Sequence, residues 1–197
     1  MAELTLWFEF ASTYSYPTVM RIERLAEAAG VTLRWRPFLL GPIFGAQGWA
    51  DSPFNLYPAK GRYMWRDLER ICADEGLPLR RPSVFPRHSV LAGRVALVAE
   101  EQGWCPTFSR ATFAANFAED QDIADPAVLA AIIDGLGHSA EAVLARAASA
   151  EIKGRLRENT EQAVRLGLFG APSFVVGEEM FWGNDRLEQA LRWAKRV

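Results

Sequence analysis

Apolar and polar residues alternate from the start of the chain. Leu4, Leu6, Phe8 and Phe10 interleave with Thr5, Trp7 and Glu9. A period of two is that of a β-strand. A polar break, Ala11-Ser12-Thr13-Tyr14-Ser15-Tyr16-Pro17, follows, and then Val19, Ile22, Leu25, Ala26 and Ala29 recur at helical spacing until Gly30. Ser15 is the expected N-cap of this helix, with Pro17 in the first turn, where its missing N–H costs nothing. Val31, Leu33 and Trp35 alternate again with Thr32, Arg34 and Arg36. Strand, helix and strand joined by short links predict a βαβ unit with a parallel pair.

Residues 37–60 read as an irregular segment rich in Pro and Gly, with Phe38, Phe44, Trp49 and Phe54 interspersed. A loop of this length is usually functional or disordered. Its aromatics either cover a flat substrate or pin the loop to the core. Beyond it the periodicity turns helical. Met64, Leu68, Ile71 and Cys72 form one face, ending near Gly76-Leu77-Pro78. Val90 to Ala99, Phe108 to Asn116, Pro126 to Ile133, Ala140 to Ala147 and Ile152 to Val164 supply five more helical patterns, interrupted by a loop at Phe85-Pro86-Arg87-His88.

Near the C-terminus Gly170-Ala171-Pro172 precedes an apolar run, Ser173 to Val176. Proline gives no N–H to a sheet ladder and so belongs at a strand's first residue or edge, and X-Pro is the peptide bond that is readily cis. Gly177-Glu178 reads as a turn and Met180-Phe181-Trp182 as a returning strand. Gly183-Asn184-Asp185 then enters a last helix with a buried face of Leu187, Ala190, Leu191 and Ala194, which Asn184 or Asp185 would cap. The fold class expected is α/β: a thioredoxin-like βαβ…ββα domain of residues 1–40 plus 169–197, with a loop and a large all-helical insertion over 41–168. Sheet half and helical half should share an interface, a common place for a pocket.

Composition narrows the function. With 197 residues, half of them hydrophobic, and a formal net charge of -2, the chain suits one compact domain carrying an insertion and not a dedicated nucleic-acid binder. No apolar run reaches the roughly 18 residues of a membrane helix, and the N-terminus lacks a signal-peptide pattern. The two cysteines, Cys72 and Cys105, are far apart, so no C-x-x-C redox pair and no zinc motif is present. Both read as small buried hydrophobes, and the compartment expected is cytoplasmic. Three positions carry candidate chemistry. Ser12 lies at a strand's carboxyl end just before a helix, where α/β sheets bind ligands and helix N-termini favour anions; its other reading is a turn or cap residue. The locally basic stretch from Lys60 to Arg94 would attract a small carboxylate or simply face solvent. His88 would titrate near neutrality or serve structure alone.

Several segments together resemble the 2-hydroxychromene-2-carboxylate isomerases. They are Phe8-Glu9-Phe10-Ala11-Ser12-Thr13-Tyr14-Ser15-Tyr16, Pro58-Ala59-Lys60-Gly61-Arg62-Tyr63, Phe85-Pro86-Arg87-His88-Ser89, Phe169-Gly170-Ala171-Pro172-Ser173-Phe174 and Phe181-Trp182-Gly183-Asn184-Asp185-Arg186-Leu187. Those enzymes are close to the kappa-class glutathione transferases, and both belong with the disulfide-forming oxidoreductases. The resemblance spans essentially the whole chain. It implies a glutathione-dependent enzyme acting as a homodimer. Ser12 matches the active serine that replaces a reactive cysteine. Ala171, before a cis proline, matches the residue whose backbone pairs with the cysteinyl part of glutathione. Trp182, Asn184 and Asp185 match the segment that binds the γ-glutamyl end, and Asn55 and Lys60 the loop meeting cofactor and substrate. Two positions depart from the family pattern: Thr13 stands where proline is usual, and His88 where asparagine is common near the substrate pocket.

The family reaction interconverts a cyclic hemiketal, 2-hydroxychromene-2-carboxylate, with an open-chain hydroxybenzylidenepyruvate, and requires rotation about a conjugated C=C bond. The resemblance implies that a thiolate adds to that carbon, that the bond then rotates as a single bond, and that the thiolate leaves. Ser12 would stabilise the thiolate, and Lys60 or a nearby arginine the carboxylate and developing enolate. Three rivals share the fold: a kappa-class-like transferase, a dithiol-disulfide oxidoreductase without its cysteines, and a non-catalytic module.

Overall fold

The computed structural model describes residues 2–196. Four strands, β1 (Glu3–Phe8), β2 (Thr32–Pro37), β3 (Ser173–Val176) and β4 (Glu179–Trp182), form one sheet in the order β2-β1-β3-β4. β1 and β2 run parallel on either side of α1 (Ser15–Ala29), as a strand-helix-strand unit requires. β3 pairs antiparallel to both β1 and β4. Leu6 therefore sits between Trp35 and Phe174 in the ladder.

Among the described residues nine further helices follow α1: α2 (Leu40–Ala46), α3 (Pro53–Leu56), α4 (Pro58–Asp74), α5 (Val90–Glu101), α6 (Cys105–Phe117), α7 (Pro126–Gly135), α8 (Ala140–Ala147), α9 (Ala150–Arg165) and α10 (Leu187–Ala194). Among them α7, α8 and α9 open on side-chain caps: Asp125, Ser139 and Ser149 accept from the N–H of Ala127, Ala142 and Ile152. Each such cap contributes about 1 kcal/mol.

β1 is central and covered on both faces. Leu4, Leu6 and Phe8 belong to a large core shared with α1, α5, α6 and α10, while Trp7 joins Phe38, Ile43, Ala163, Leu168 and Ala171 in a smaller cluster that α2 and α9 help to build. The end of β1 is tied to α6 by aromatic packing. The Phe10 ring lies 5.3 Å from Phe8, 5.1 Å from Phe113 and 5.9 Å from Phe108. Burying each of these rings contributes about 1.5–3 kcal/mol. The large core draws on the sheet and on the helices of the insertion alike. α10 buries Leu187, Ala190, Leu191 and Ala194, the face its spacing predicts.

Three local expectations are corrected. Residues 37–60 are not irregular throughout, because α2 and α3 lie inside them and α4 begins at Pro58. Gly41, Pro42 and Gly45 hide the helical signal of α2, and burial of Ile43 in the Trp7–Phe38 cluster overrides the poor propensity. α3 is set by Ser52, whose hydroxyl accepts from Phe54 N–H at 3.3 Å, with Pro53 at the first helical position. Ser15 is not the cap of α1: it is the first helical residue, and Ser12 Oγ accepts its N–H at 3.3 Å. Neither Asn184 nor Asp185 caps α10. Both lie in a 3-10 turn, Asn184–Arg186, and the α10 N-cap is Arg186, with no side-chain bond.

Candidate active site

The carboxyl end of β1 places Ser12 opposite the turn that opens β3. The Ala171–Pro172 bond in that turn is cis. Ser12 Oγ donates to the Ala171 carbonyl at 2.8 Å, and Ser173 Oγ closes the turn by donating to the Gly170 carbonyl at 2.8 Å. Pro172 O in turn accepts from Gly183 N–H at 2.9 Å, fixing the approach to the 3-10 turn. Gly170 is required by contact: a Cβ there would stand 2.3 Å from Trp182 Nε1. Trp182 and Phe169 pack edge to face at 4.9 Å, and both are half-exposed.

These groups line a cavity of about 750 Å³. Its floor is the end of β1 and the Ser12 turn. One wall is the segment carrying α2 and α3, with Phe44, Trp49 and Phe54. The opposite side is the loop from Phe85 to Val90. The Phe85–Pro86 bond in that loop is also cis. Phe38 is a core residue, 6.0 Å from Trp7, so the aromatics of residues 37–60 divide between pinning the segment down and lining the cavity. Tyr14 lies at the mouth, its ring 6.2 Å from Phe54 and its hydroxyl donating to Asp67 at 3.0 Å. Burial, followed by the Asp67 carboxylate, holds this phenol well above its ordinary value, so it stays a donor.

Two charged residues of the lining lie beneath the surface. Glu9 is buried, with one carboxyl oxygen accepting from Ala11 N–H at 2.9 Å and the other from the Ser89 hydroxyl. Burial pushes its pKa up to about 7, against the lowering effect of those two bonds. Arg87 is buried and donates through its terminal nitrogens to Asn116 Oδ1 at 2.9 Å and to Asp120 Oδ1 at 2.5 Å, while its Nε has no hydrogen-bond partner among the described residues. Asn116 Nδ2 donates in turn to Phe10 O at 3.0 Å. Asp120 is held down to about 2, first by the Ser83 N–H and then by Arg87. Arg87 thereby anchors the Phe85–Val90 loop to α6 and to the end of β1.

Ser12, Ala171, Trp182, Lys60 and His88 all line the one cavity. Lys60 is exposed, with Nζ 4.9 Å over the Tyr57 ring, and His88 is exposed at the opposite rim. The other three expected residues are not part of the lining. Asn55 Nδ2 donates to Asp51 and, at 3.0 Å, to the Phe85 carbonyl, so it ties the two walls together. Asn184 is buried behind the site. Its Oδ1 accepts from Thr18 Oγ1 at 2.9 Å and from Arg21 at 3.2 Å, and its carbonyl accepts from Arg21 at 2.9 Å. Asp185 stands exposed, and among the described residues its one ion pair is with Arg186 at 3.5 Å. The sequence does not single out Glu9 and Arg87, because Ser89 for the one and Asn116 and Asp120 for the other come from distant parts of the chain.

Chemically, a hydroxyl at a helix N-terminus beside a backbone carbonyl at a cis-proline turn suits an extended peptide that carries a thiolate. Neither cysteine competes for that role. Cys72 and Cys105 are buried and unpaired, and burial pushes their thiols up to about 11 and about 12. Among the described residues no helix is long and apolar enough to cross a membrane.

Comparison with known proteins agrees with this geometry. A family model, the DSBA-like thioredoxin domain, matches residues 3–192. A 2-hydroxychromene-2-carboxylate isomerase of Sphingobium xenophagum is 30% identical over 186 residues, covering 94% of each chain. Glutathione S-transferase kappa 1 of Homo sapiens is 29% identical over 197 residues, covering 93% of this chain and 86% of its own. A solved structure of 2-hydroxychromene-2-carboxylate isomerase superposes with a TM-score of 0.86 at 25% identity, over 98% of this chain and 95% of that one.

Proposed function

This chain belongs to the DSBA-like thioredoxin domain family, among enzymes related to 2-hydroxychromene-2-carboxylate isomerases and kappa-class glutathione transferases, and we propose that it is a glutathione-dependent isomerase of 2-hydroxychromene-2-carboxylate-type aromatic intermediates. The observation that carries the reading is the Ser12–Ala171 pair at the floor of an aromatic-walled cavity. A hydroxyl, and not a thiol, stands at the strand-helix junction, so the sulfur has to come from a ligand.

The residues present fit glutathione. The Ala171 carbonyl, in a turn that Gly170 lets pack closely against Trp182, suits a peptide backbone. Asp185, exposed at the start of a 3-10 turn, suits an α-amino group. When bound, glutathione would supply the thiolate nucleophile for reversible addition to the conjugated carbon, held by Ser12, the Ala171 carbonyl and Asp185. The protein's part is electrostatic and positional. Ser12 Oγ donates toward the sulfur and favours its anion, assisted by the N-terminus of α1. Lys60 holds the substrate carboxylate and the charge that develops beside it. Phe44, Trp49 and Phe54 cover the aromatic ring and exclude water. His88 stands at the rim where the substrate enters. The same resemblance supports a homodimer, and the two free thiols, Cys72 and Cys105, are compatible with the reducing, cytoplasmic setting proposed.

Calorimetric titration of glutathione, followed by product analysis with a hydroxychromene carboxylate, tests this. Saturable binding and regenerated free glutathione are expected. A stable conjugate would move the assignment to a kappa-like transferase. No binding of glutathione at millimolar concentration would overturn both.

A further inference from the structure

A second cavity, of about 470 Å³, lies between α5 and α9. Leu39, Val90, Ala150 and Leu156 give it apolar walls, and its polar lining consists of three cations: Arg94, Lys153 and Arg157. Lys153 and Arg157 are one helical turn apart on α9 and share a face, which Arg94 meets from α5. Arg94 Nε is buried and has no hydrogen-bond partner.

The neighbouring arginines behave differently. Arg146 is paired with Glu101 and Glu151, and Arg155 with Glu100 and Glu101. None of Arg94, Lys153 and Arg157 is ion-paired among the described residues. Three like charges with no ion pair among the described residues are thus gathered around one concavity. A buried N–H donor without an acceptor is costly, and like charges brought together repel. Both costs are relieved by an anion. Two guanidinium groups favour oxyanions that accept paired bonds, and the apolar wall favours a ring or short chain beside the charge.

We infer that this cavity is a second anion-binding site, taking a small dianion with an apolar portion, either a phosphate monoester or an aromatic dicarboxylate. It is separate from the Ser12 cavity and touches it only through Leu39 and Val90, which line both. Occupancy of the second site would therefore be felt at the rim of the first.

The test is a titration of the uniformly 15N-labelled full chain with phenyl phosphate and, separately, with phthalate, at low and at high salt. Saturable amide shifts are expected in α5 and α9 and at Leu39, weakening with salt as exposed charges are screened. Whichever probe binds more tightly identifies the source of the dianion. Arg94→Gln and Arg157→Gln should each weaken binding by about tenfold. Arg157 is exposed, so its variant tests the site even if Arg94→Gln perturbs packing. Glutathione titrated in the same spectra reports on the Ser12 cavity, so failure of either reading is separable. Absence of saturable shifts with both probes, shifts centred on the Ser12 cavity, or unchanged affinity in Arg157→Gln would overturn the inference.

Discussion

Ser12 Oγ and the Ala171 carbonyl are joined at 2.8 Å although the two residues stand 159 positions apart. The hydroxyl already spends its proton on the cis-proline turn and accepts the Ser15 N–H. To donate to a sulfur it must turn away from Ala171, and that carbonyl must then find another donor. A peptide ligand offers both halves of the exchange at once, an amide N–H for the carbonyl and a thiolate for the hydroxyl. A ligand without an amide leaves a buried carbonyl unpaired, which costs about 1–3 kcal/mol.

Ser12→Ala tests the exchange. One positioned donor to developing charge contributes about 2.7–4 kcal/mol, so kcat/KM should fall by about 10²–10³ with glutathione saturating. Thermal stability should drop by about 1–3 kcal/mol, since the side chain gives up its bonds to the Ala171 carbonyl and the Ser15 N–H. Near-wild-type turnover would show that the hydroxyl does not act on the sulfur.

Gly170→Ala tests the cradle. The added Cβ would stand 2.3 Å from Trp182 Nε1, so the indole must move off the turn. Overpacking of this kind costs about 1–3 kcal/mol. Trp182 is half-exposed and can swing outward, so most of the loss is expected in glutathione affinity and little in melting temperature. Tryptophan fluorescence should shift with it. Unchanged fluorescence and affinity together would rule out the contact.

Asn184 and Asp185 are neighbours with opposite roles. Asn184 is buried and its Oδ1 accepts from Thr18 and Arg21, so Asn184→Ala removes a shared acceptor and leaves Arg21 held by Glu75, Glu188 and the backbone carbonyl of residue 184. A loss of about 1–3 kcal/mol in stability is expected, with glutathione affinity falling because the 3-10 turn loosens. Asp185 is exposed, so Asp185→Ala should weaken glutathione without moving the melting temperature. Denaturant midpoints and calorimetry on the two variants separate the roles; equal destabilisation by both would refute the division.

Much of this arrangement is legible in the sequence, and the rest is hidden for definite reasons. The alternation of Leu4 to Phe10, the spacing of Leu187, Ala190, Leu191 and Ala194, and the position of Pro172 each state a local preference that the fold keeps. Glu9 is misread by the same alternation, which assigns it to a polar face. Glu9 lies one residue beyond β1, where the turn at Ala11 and the distant Ser89 bury its carboxyl. α2 escapes notice because Gly41, Pro42 and Gly45 suppress its local signal, and only packing against Trp7 and Phe38 supports it. Asn184 looks like a cap because caps are local; its partner Arg21 lies 163 residues away.

Glu9 contributes a pH dependence of stability that falls between about pH 4.5 and 7. Its carboxyl is raised in the folded state from the ordinary 4.5 to about 7 by burial. The folded form therefore binds the proton more tightly than the unfolded form. This contribution is fully present below about pH 4.5 and is lost as pH rises through about 7. Integrated over that interval it amounts to about 3 kcal/mol at most. Glu9→Gln should keep both contacts, since its carbonyl oxygen accepts from Ala11 N–H while its amide donates to a reversed Ser89 hydroxyl. Measured against this variant, the wild type should lose stability steadily between pH 4.5 and 7 and stay lower above it. Urea unfolding of both proteins across that range checks the sign. A wild-type curve parallel to that of Glu9→Gln would mean that the carboxyl titrates in the ordinary range and is not sealed beneath the Ser12 cavity.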